Sequence, residues 1–368
     1  MIYIKNCVSV IPGYDKGKEF GELISTRSLL ENMHNPEDKN FDYNFVQERL
    51  GIQSVARSHL TLDLLKQALA DRRQNKKQYS LCHEHETLKA MLITALNLAF
   101  KNQEEKNKVI SHIHITGTAM VNHGHFLGES RVASQIANGK YVPTQFLIKG
   151  CSGIYDAFLM AEALLARPRR PANILVTADS NLAPLTGQAT KRHATSGNIN
   201  EWLCPAIFAE GVGAAVISNE RDDSALSFRL DYNNVDIVTE ENRVRATTMD
   251  GEIFCLIDAK GVSKTYMAGM AKNIERTLAY AGSFANLDAI LMHESNPNLL
   301  DLTIKKHKVP VELVPKHSDK IGTLGPVSSF QLLEEAFTRC QSKNRKVALN
   351  VIGELFSGVN SGCLGLST

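Results

Sequence analysis

The sequence lacks the long, uninterrupted apolar run that a membrane-spanning helix requires. No window of its 368 residues approaches the roughly 18 apolar residues that such a span needs. The first residues, Met-Ile-Tyr-Ile-Lys-Asn-Cys, have the pattern of a strand and lack the charged segment and apolar core of a signal peptide. We therefore expect no membrane span and a cytoplasmic location.

An excess of charge of one sign is also missing. The net charge is +2, the isoelectric point is about 8.1 and 22% of the residues are charged. Proteins that bind nucleic acid or a membrane surface through bulk charge are usually far from this balance. We therefore expect no nucleic-acid partner, and the length favours a globular protein with two domain-sized parts.

Cysteine pairs with the spacing of a zinc site are absent as well. The seven cysteines are odd in number, scattered and never spaced as Cys-x-x-Cys, which also argues against a disulfide framework. They are Cys7, Cys82, Cys151, Cys204, Cys255, Cys340 and Cys363. We expect all of them to be reduced thiols, and only Cys151 lies in a reactive setting.

Three pairs of closely spaced histidines are candidate metal ligands. None of them has the i, i+4 spacing of a helical histidine pair or a cysteine partner at zinc spacing. The pairs are His83 and His85, His112 and His114, and His123 and His125. The sequence therefore predicts no metal site and no cofactor.

Short apolar runs alternate with stretches of helical periodicity along the chain. Strands are predicted at 2–11, 112–118, 145–150, 173–178 and 212–218, with helices at about 84–101 and 152–166. A comparable series follows, with strands at about 225–232, 288–293, 311–314, 346–352 and 362–367 and helices at 262–281 and 328–341. This alternation predicts an α/β fold of layered strands and helices. We interpret the second series as a duplication of the first, with halves at residues 1–222 and 223–368 and a site between them.

Cys151 lies at the predicted corner between a strand and a helix. The apolar run Phe-Leu-Ile-Lys ends at Gly150, and helical spacing begins after Gly153. A sulfur at such a corner lies near the positive end of the helix dipole, which stabilises its thiolate and raises its reactivity. A cysteine placed in this way can carry an acyl group as a thioester, although a lone cysteine more often packs as a small buried hydrophobe.

The second half of the chain contains two features that such a thiolate needs for catalysis. An apolar strand ends at His293, and Pro297 predicts that a helix begins just after it. Residues 346–360 form an apolar strand that leads to Gly353 and Gly358, which permit close backbone approach to a thioester oxygen. A single histidine after a strand is more often structural, but in combination with Cys151 a catalytic role is favoured.

Five short motifs along the chain form an ordered set. They are Arg49-Leu50-Gly51-Ile52, Cys151-Ser152-Gly153, Phe208-Ala209-Glu210-Gly211-Val212-Gly213-Ala214, His293-Glu294-Ser295-Asn296 and Gly358-Val359-Asn360-Ser361-Gly362. In order and spacing they resemble the motifs of the ketoacyl synthase III branch of the thiolase superfamily, over nearly the whole chain. The resemblance implies a thiolase fold, in which two βαβαβ-type halves form a five-layer αβαβα sandwich that is usually a dimer.

The resemblance also implies roles for residues of these motifs. Cys151 matches the nucleophile that accepts the acyl group, and His293 matches the histidine that serves the second substrate. The N–H groups of Cys151 and Gly358 match the oxyanion hole. Asn296 matches an asparagine of the histidine motif that has no catalytic role.

Two positions depart from the family pattern. Thr323 occupies the position of an asparagine that donates a hydrogen bond to the malonyl thioester carbonyl and stabilises the enolate formed by decarboxylation. Loss of one such donor costs on the order of 10²–10³ in rate, so efficient decarboxylation is not the expectation. Asn298 replaces an arginine that contacts phosphates. Lys305 and Lys306 match paired basic positions where an acyl carrier protein docks, with two solvated lysines as the alternative.

The activity that the resemblance implies is that of an acyltransferase of the condensing type. Such an enzyme takes an acyl group from an acyl carrier protein or coenzyme A thioester and passes it to a second substrate in fatty acid, polyketide or specialised biosynthesis. A homodimer is expected, and a heterodimer is the alternative. A standard decarboxylative ketoacyl synthase, in which the Thr323 hydroxyl is sufficient for decarboxylation, stays open as an alternative function. So does a non-catalytic partner subunit of a heterodimeric synthase, although retention of Cys151 and His293 argues against it.

Overall fold

The structure, a computed structural model, describes residues 1–34, 37–73, 86–116, 139–181, 195–221, 226–239, 241, 243–249, 252–340, 344–354 and 358–368. Within these ranges the strands are β1 (Tyr3–Val10), β2 (Gly21–Ser25), β3 (Ser54–Ser58), β4 (Val109–Thr116), β5 (Thr144–Leu147), β6 (Asn173–Ser180), β7 (Gly211–Ser218), β8 (Phe228–Thr239), β9 (Val244–Met249), β10 (Glu252–Ile257), β11 (Ala289–Met292), β12 (Lys346–Glu354) and β13 (Val359–Ser367). The helices are α1 (Thr26–Met33), α2 (His59–Arg73), α3 (Glu86–Ala99), α4 (Gln103–Asn107), α5 (Gly153–Leu165), α6 (Ile199–Ile207), α7 (Ala259–Ala281), α8 (Pro297–His307), α9 (Ser318–Ile321) and α10 (Val327–Arg339).

One mixed sheet contains β1 and β4–β7, which we call its first part, and β8 and β11–β13, which we call its second part. Among the described strands, nine follow the order β11-β12-β13-β8-β1-β7-β6-β4-β5. Strands β4, β5 and β6 are parallel to one another, whereas β7 runs antiparallel to β6 and to β1. At the opposite end, β11 is parallel to β12, and β13 is antiparallel to β12 and to β8. The two parts meet where β1 pairs with β8, at Ile4 and Phe228.

Side chains that alternate along the strands separate an inner core from two outer ones. On β6, Ile174 and Val176 face the inner core, and Leu175 faces the outer core beneath α3. Helices α5 and α10 lie in the inner core, where Phe158 and Phe330 are fully buried. Helices α7 and α8 cover the other face of β11 and β12. The layers follow the order αβαβα, as predicted.

One predicted strand is wrong. Residues 311–314 instead form a 3-10 turn, Val311–Leu313, closed by a hydrogen bond from Val314 N to Val311 O at 3.1 Å. The side chain of Val311 is 58% exposed, and no sheet in the described ranges includes the segment. Strand β8 continues past its predicted end at residue 232 as far as Thr239, because it pairs with β13 over that length.

Two other expectations concern the boundary between the halves and the absence of a membrane span. The boundary between residues 222 and 223 lies outside the described residues, so the division into two halves stays a prediction. None of the helices in the described ranges is both long enough and apolar enough to cross a membrane.

Strand β12 makes close backbone contact with the turn that precedes α5. A Cβ atom placed on Gly353 would lie 2.2 Å from Ser152 N and 2.5 Å from Ser152 Cβ. Both distances are far below van der Waals contact, so only glycine fits at this position without displacing the backbone. The contact sets the position of the turn relative to the second part of the sheet.

We predict that Gly353→Ala destabilises the protein by about 1–3 kcal/mol, the usual cost of an overpacked core position. Urea unfolding measures the free energy of unfolding of the variant and the wild type. The control is Gly197→Ala, because no atom lies within 4 Å of a Cβ placed at that residue. Equal stability of the Gly353→Ala variant and the wild type would contradict the prediction.

Candidate active site

The turn that carries Cys151 connects β5 to α5. A 3-10 turn spans Gly150–Ser152, and α5 begins at the next residue. Gly150 has a φ of 54°, in the left-handed region that favours glycine. The hydroxyl of Ser152 closes the turn by donating to Lys149 O at 3.1 Å. Cys151 is half-buried against the inner core, at the N-terminal end of a helix as the sequence predicts.

The main chain of His293 is held from both sides at the end of β11. Its N–H donates to Asn350 O on β12 at 2.8 Å, and its carbonyl accepts from the Tyr266 hydroxyl at 2.8 Å. The side chain is 5% exposed, and neither ring nitrogen has a hydrogen-bond partner among the described residues. Burial lowers the pKa of His293 from 6.5 to about 4. The imidazole is therefore neutral at neutral pH, with both nitrogens unengaged by the described part of the chain.

Thr323 lies beside the histidine segment, but its hydroxyl is engaged. The Oγ1 atom donates to Ser295 O at 3.0 Å, and the residue is 4% exposed. Its main chain is held by α6 and the residues that follow: Thr323 N donates to Ile207 O at 2.9 Å, and Ala209 N donates to Thr323 O at 2.8 Å. A threonine hydroxyl has one proton to donate, and here that proton is directed to the main chain.

Asn296 and Asn298 both have structural contacts. Asn296 caps α8, since its side-chain oxygen accepts from Leu299 N at 2.9 Å. Asn298 donates to Glu48 O at 3.2 Å and so ties α8 to the segment around the first sequence motif. Position 298, which the sequence resemblance matches to a phosphate-binding arginine, therefore holds an amide that contacts the protein itself.

Glu294 is a site residue whose role the sequence did not reveal. Its carboxylate accepts from His317 N at 2.7 Å, from Ser318 N at 3.2 Å and from the Ser318 hydroxyl at 2.5 Å. Burial raises the pKa of Glu294. The carboxylate holds the N-terminal end of α9, which leads directly to Thr323. Only its place beside His293 in the motif could have pointed to it.

Gly358 precedes β13 with a φ of 82°, in the left-handed region, and is buried. Strands β12 and β13 pair at Gly353–Asn360 and at Glu354–Val359, so Gly358 lies at the same end of β12 as the turn contact. Residues 355–357 of this predicted oxyanion segment lie outside the described residues.

Strand β12 brings the main groups together. The turn that carries Cys151 contacts it at Gly353, and His293 contacts it at Asn350, about 10 Å away along an extended strand. Thr323 joins the group through Ser295. Lys305 and Lys306 are not part of this group: they are exposed in the last turn of α8, roughly 12 Å along the helix from its first residue.

Of the three histidine pairs considered as metal ligands, the structure describes one, His112 and His114. His112 Nε2 and His114 Nδ1 both lie 2.7 Å from the Thr177 hydroxyl, and His114 Nε2 lies 3.1 Å from Asp179. These rings thus form a buried hydrogen-bonded chain between β4 and β6. The other two histidine pairs lie outside the described residues, and so does Cys82. These pairs are His83 and His85, and His123 and His125. No group of three or more potential metal ligands occurs among the residues that the structure describes.

Comparison with curated proteins gives four matches, and two of them are ketoacyl synthases from Wolbachia. The chain is 23% identical over 202 residues to β-ketoacyl-[acyl-carrier-protein] synthase III of Wolbachia pipientis from Culex pipiens, covering 54% of this chain and 59% of the relative. It is 22% identical, with the same coverage, to the enzyme of the same name from Wolbachia pipientis wMel. The match thus spans less than two thirds of the length of each relative. No protein-family model matches the chain.

Solved structures match the whole chain. The tetronic acid condensing enzyme AbyA1 has a TM-score of 0.73 at 16% identity, covering 100% of both chains. OleA of Xanthomonas campestris with bound lauric acid and lauroyl-CoA has a TM-score of 0.72 at 13% identity, covering 100% of this chain and 99% of OleA. The 3-oxoacyl-(acyl carrier protein) synthase III of Xanthomonas oryzae has a TM-score of 0.74 at 13% identity, covering 100% and 98%. The chain has the thiolase fold and resembles β-ketoacyl-[acyl-carrier-protein] synthase III. The predicted fold class is confirmed.

We predict that His293 makes the stability of this thiolase-fold protein depend on pH. Its folded pKa of about 4 lies below the ordinary value of 6.5, so between these values the unfolded chain binds a proton that the folded chain does not. Stability therefore falls as the pH decreases through this window, by up to about 3 kcal/mol from this residue. Urea unfolding from pH 7.5 to pH 4.5 measures the change.

The His293→Asn variant isolates the contribution of His293 to the pH dependence. It should lose less stability than the wild type between pH 7.5 and pH 4.5. His59→Asn, a substitution at an exposed histidine, should leave the wild-type pH dependence in place. Identical pH dependence in the His293→Asn variant and the wild type would show that burial of this imidazole is not the cause.

Proposed function

We propose that the protein is a condensing acyltransferase that carries its acyl group on Cys151. The observation that carries the proposal is the pairing, on either side of β12, of a cysteine at a helix N-terminus with a buried histidine whose ring nitrogens have no partner in the described residues. A buried polar atom without a partner is costly, and substrate atoms would remove that cost. The similarity to ketoacyl synthases and condensing enzymes supports the same reaction class.

In the first step, the Cys151 thiolate attacks the carbonyl carbon of an acyl thioester. A carbon–sulfur bond to Cys151 forms, the carbonyl oxygen becomes an oxyanion, and the bond to the donor sulfur then breaks. The donor leaves as a thiolate, which takes up the proton that Cys151 released. The N–H groups of Cys151 and Gly358 are proposed to hold the oxyanion, because backbone donors of this kind stabilise charge that develops in the transition state.

In the second step, His293 is proposed to act on the second substrate. A neutral imidazole can accept a proton from an incoming nucleophile or donate a hydrogen bond to a carbonyl oxygen, depending on its tautomer. Its low pKa keeps it neutral across the physiological range. The nucleophile then attacks the acyl group on Cys151, and the carbon–sulfur bond to Cys151 breaks to regenerate the thiolate.

Thr323 favours a reaction that does not depend on strong enolate stabilisation. The family asparagine acts through an amide N–H, whereas the Thr323 hydroxyl donates to Ser295 O. Without that donor, decarboxylation of a malonyl thioester loses part of its stabilisation. We therefore propose transfer or condensation of an acyl group in specialised lipid or polyketide biosynthesis. The standard decarboxylative synthase is the alternative.

The proposed donor is a thioester of acyl carrier protein or coenzyme A. The exposed Lys305 and Lys306 add positive charge at the C-terminal end of α8, and an acidic carrier protein would dock there. Position 298 holds asparagine where the family has a phosphate-binding arginine, and its amide donates to Glu48 O. Because a phosphate contact of coenzyme A is missing there, we favour the carrier protein as donor. The cytoplasmic location expected from the sequence fits both donors.

Two copies of the chain are proposed to associate along β5, which is the last strand of the sheet within the described ranges. A strand edge with no neighbouring strand in the described ranges offers main-chain groups for pairing with another chain. Tyr141 and Ile148 flank this strand and are 85% and 43% exposed. A homodimer is the simplest arrangement, and a heterodimer with a catalytic partner is the alternative that would make this chain a non-catalytic subunit.

The test of the proposal is acylation of Cys151. Incubation with a panel of acyl carrier protein and acyl-coenzyme A thioesters should add one acyl group to the wild type, as measured by intact-protein mass. Cys151→Ala should show no adduct and no transfer, and the control Cys255→Ala should keep both. An adduct that persists in Cys151→Ala and maps to Cys204 or Cys255 would refute the assignment, and the absence of any adduct would favour the non-catalytic subunit.

Thr323 decides between the two enzymatic alternatives. We predict that the acylated wild type releases little labelled carbon dioxide from a malonyl thioester, and that Thr323→Asn raises this release by up to the order of 10²-fold through the restored amide donor. Thr323→Val, which removes the hydroxyl at similar size, should release as little as the wild type because that hydroxyl is already engaged. Brisk release by the wild type would restore the standard ketoacyl synthase.

A further inference from the structure

A buried tyrosine hydroxyl connects the nucleophile helix to the strand that holds the histidine. Tyr155 lies in the first turn of α5, is 1% exposed, and extends from there into the second part of the sheet. Its oxygen accepts from Val351 N at 2.8 Å and lies 3.1 Å from Val351 O, and it also donates to Gly362 O. The hydroxyl has one proton, so it accepts from the amide and shares that proton between two carbonyl groups.

The sequence of β13 makes room for this contact. Val351 and Gly362 are paired residues of the antiparallel β12–β13 ladder, and the hydroxyl lies on this pair. A Cβ atom on Gly362 would lie 2.8 Å from Tyr155 Cζ, so a larger residue would collide with the ring. Burial raises the pKa of Tyr155 well above its ordinary value, and the hydroxyl therefore stays protonated and able to donate.

The contact lies between the two places where β12 holds the site. Asn350, the residue before Val351, accepts from His293 N, and Gly353, two residues after it, touches the turn of Cys151. A route from Cys151 to His293 thus runs through one turn of α5, the Tyr155 hydroxyl and two strand residues. Every group along it after Cys151 is buried.

We propose that Tyr155 is a positioning residue, whose hydroxyl sets the distance between Cys151 and His293. This inference rests on the proposed acyl transfer. The hydroxyl does not touch the reacting atoms; it fixes α5 against β12 and thereby fixes the acyl-carrying sulfur against the imidazole. A misplacement of about 1 Å between reacting groups can cost on the order of 10²-fold in rate.

The consequence differs between the two half-reactions. Acylation of Cys151 uses its own N–H group and that of Gly358, which lies at the end of β12 where Gly353 contacts Ser152 directly, without the help of the Tyr155 hydroxyl. Transfer to the second substrate also requires His293, on the β12 side. Loss of the hydroxyl should therefore spare acylation and impair transfer, whereas a purely structural role would lower both in proportion to the folded fraction.

The experiment compares Tyr155→Phe with Tyr280→Phe. Tyr280 is the matched control because its hydroxyl also contacts β13, lying 3.0 Å from Leu366 O and 3.1 Å from an Asp231 carboxylate oxygen, and its ring packs on Gly365 as the Tyr155 ring packs on Gly362. Folded fraction is measured by circular dichroism, acylation by intact mass, and transfer by single-turnover release of the acyl group from Cys151.

We expect Tyr155→Phe to acylate within about twofold of the wild-type rate, with an unchanged KM for the donor, and to transfer the acyl group on the order of 10–10² times more slowly. Tyr280→Phe should match the wild type in both steps. Equal transfer rates for Tyr155→Phe and the wild type, parallel losses of acylation and transfer, or the same defect in Tyr280→Phe would each overturn the positioning role.

Two further results keep the inference separate from stability and from the proposed function. If Tyr155→Phe does not fold, 3,5-difluorotyrosine at position 155 keeps the shape but weakens the oxygen as an acceptor, and an unchanged transfer rate in that protein overturns the inference. If the wild type forms no adduct on Cys151 with any thioester, the proposed function and this inference fall together. If the wild type acylates and transfers normally, failure of the Tyr155 prediction concerns Tyr155 alone.

Discussion

Close backbone contact between β12 and the turn that carries Cys151 is the constraint on which the candidate site depends. At Gly353 the strand passes so near Ser152 that no Cβ atom fits between them. Three residues earlier, the same strand accepts the hydrogen bond from His293 N. Successive residues of a strand lie about 3.3 Å apart, so strand geometry rather than flexible side chains sets the spacing of the two groups. A thiol and an imidazole from distant parts of the chain thereby share one rigid support.

Side chains from helices on both faces of the sheet complete the hydrogen bonds around this strand. From α7, Asn273 donates to Val351 O at 3.2 Å, and Thr277 bonds to the side chain of Asn350 at 2.9 Å. From α5, the Tyr155 hydroxyl reaches the same segment. Buried polar groups destabilise a fold unless they are bonded, so this set of contacts favours one placement of the strand. A core made only of apolar side chains would tolerate small displacements that this one penalises.

Local periodicity and the glycine and proline positions predicted the alternation of strands and helices, the corner at Cys151 and the strand before His293. The five-layer order was predicted from the family resemblance. The sequence did not predict the antiparallel strand pairs β2–β3 and β9–β10, and it wrongly assigned residues 311–314 to a strand. The orientation of the Thr323 hydroxyl could not be predicted either, because its acceptor, Ser295 O, is fixed by packing between segments far apart in the chain. The same holds for Asn298, whose partner Glu48 O lies in another part of the molecule. The placement of Cys151 as the acyl carrier stays a proposal that chemistry must test.

The place of β1 in the sheet determines when this protein can fold during synthesis. Val8 pairs with Ala214 on β7, and Ile4 pairs with Phe228 on β8, so β1 has no neighbour in the sheet until the chain has been synthesised as far as β7. At the usual rate of roughly 5–20 residues per second, this apolar strand stays open for on the order of ten seconds or more. Such non-local pairing slows folding and exposes strand edges to aggregation. The order of the strands in the sheet therefore sets a minimum delay between the synthesis of β1 and the formation of its two ladders.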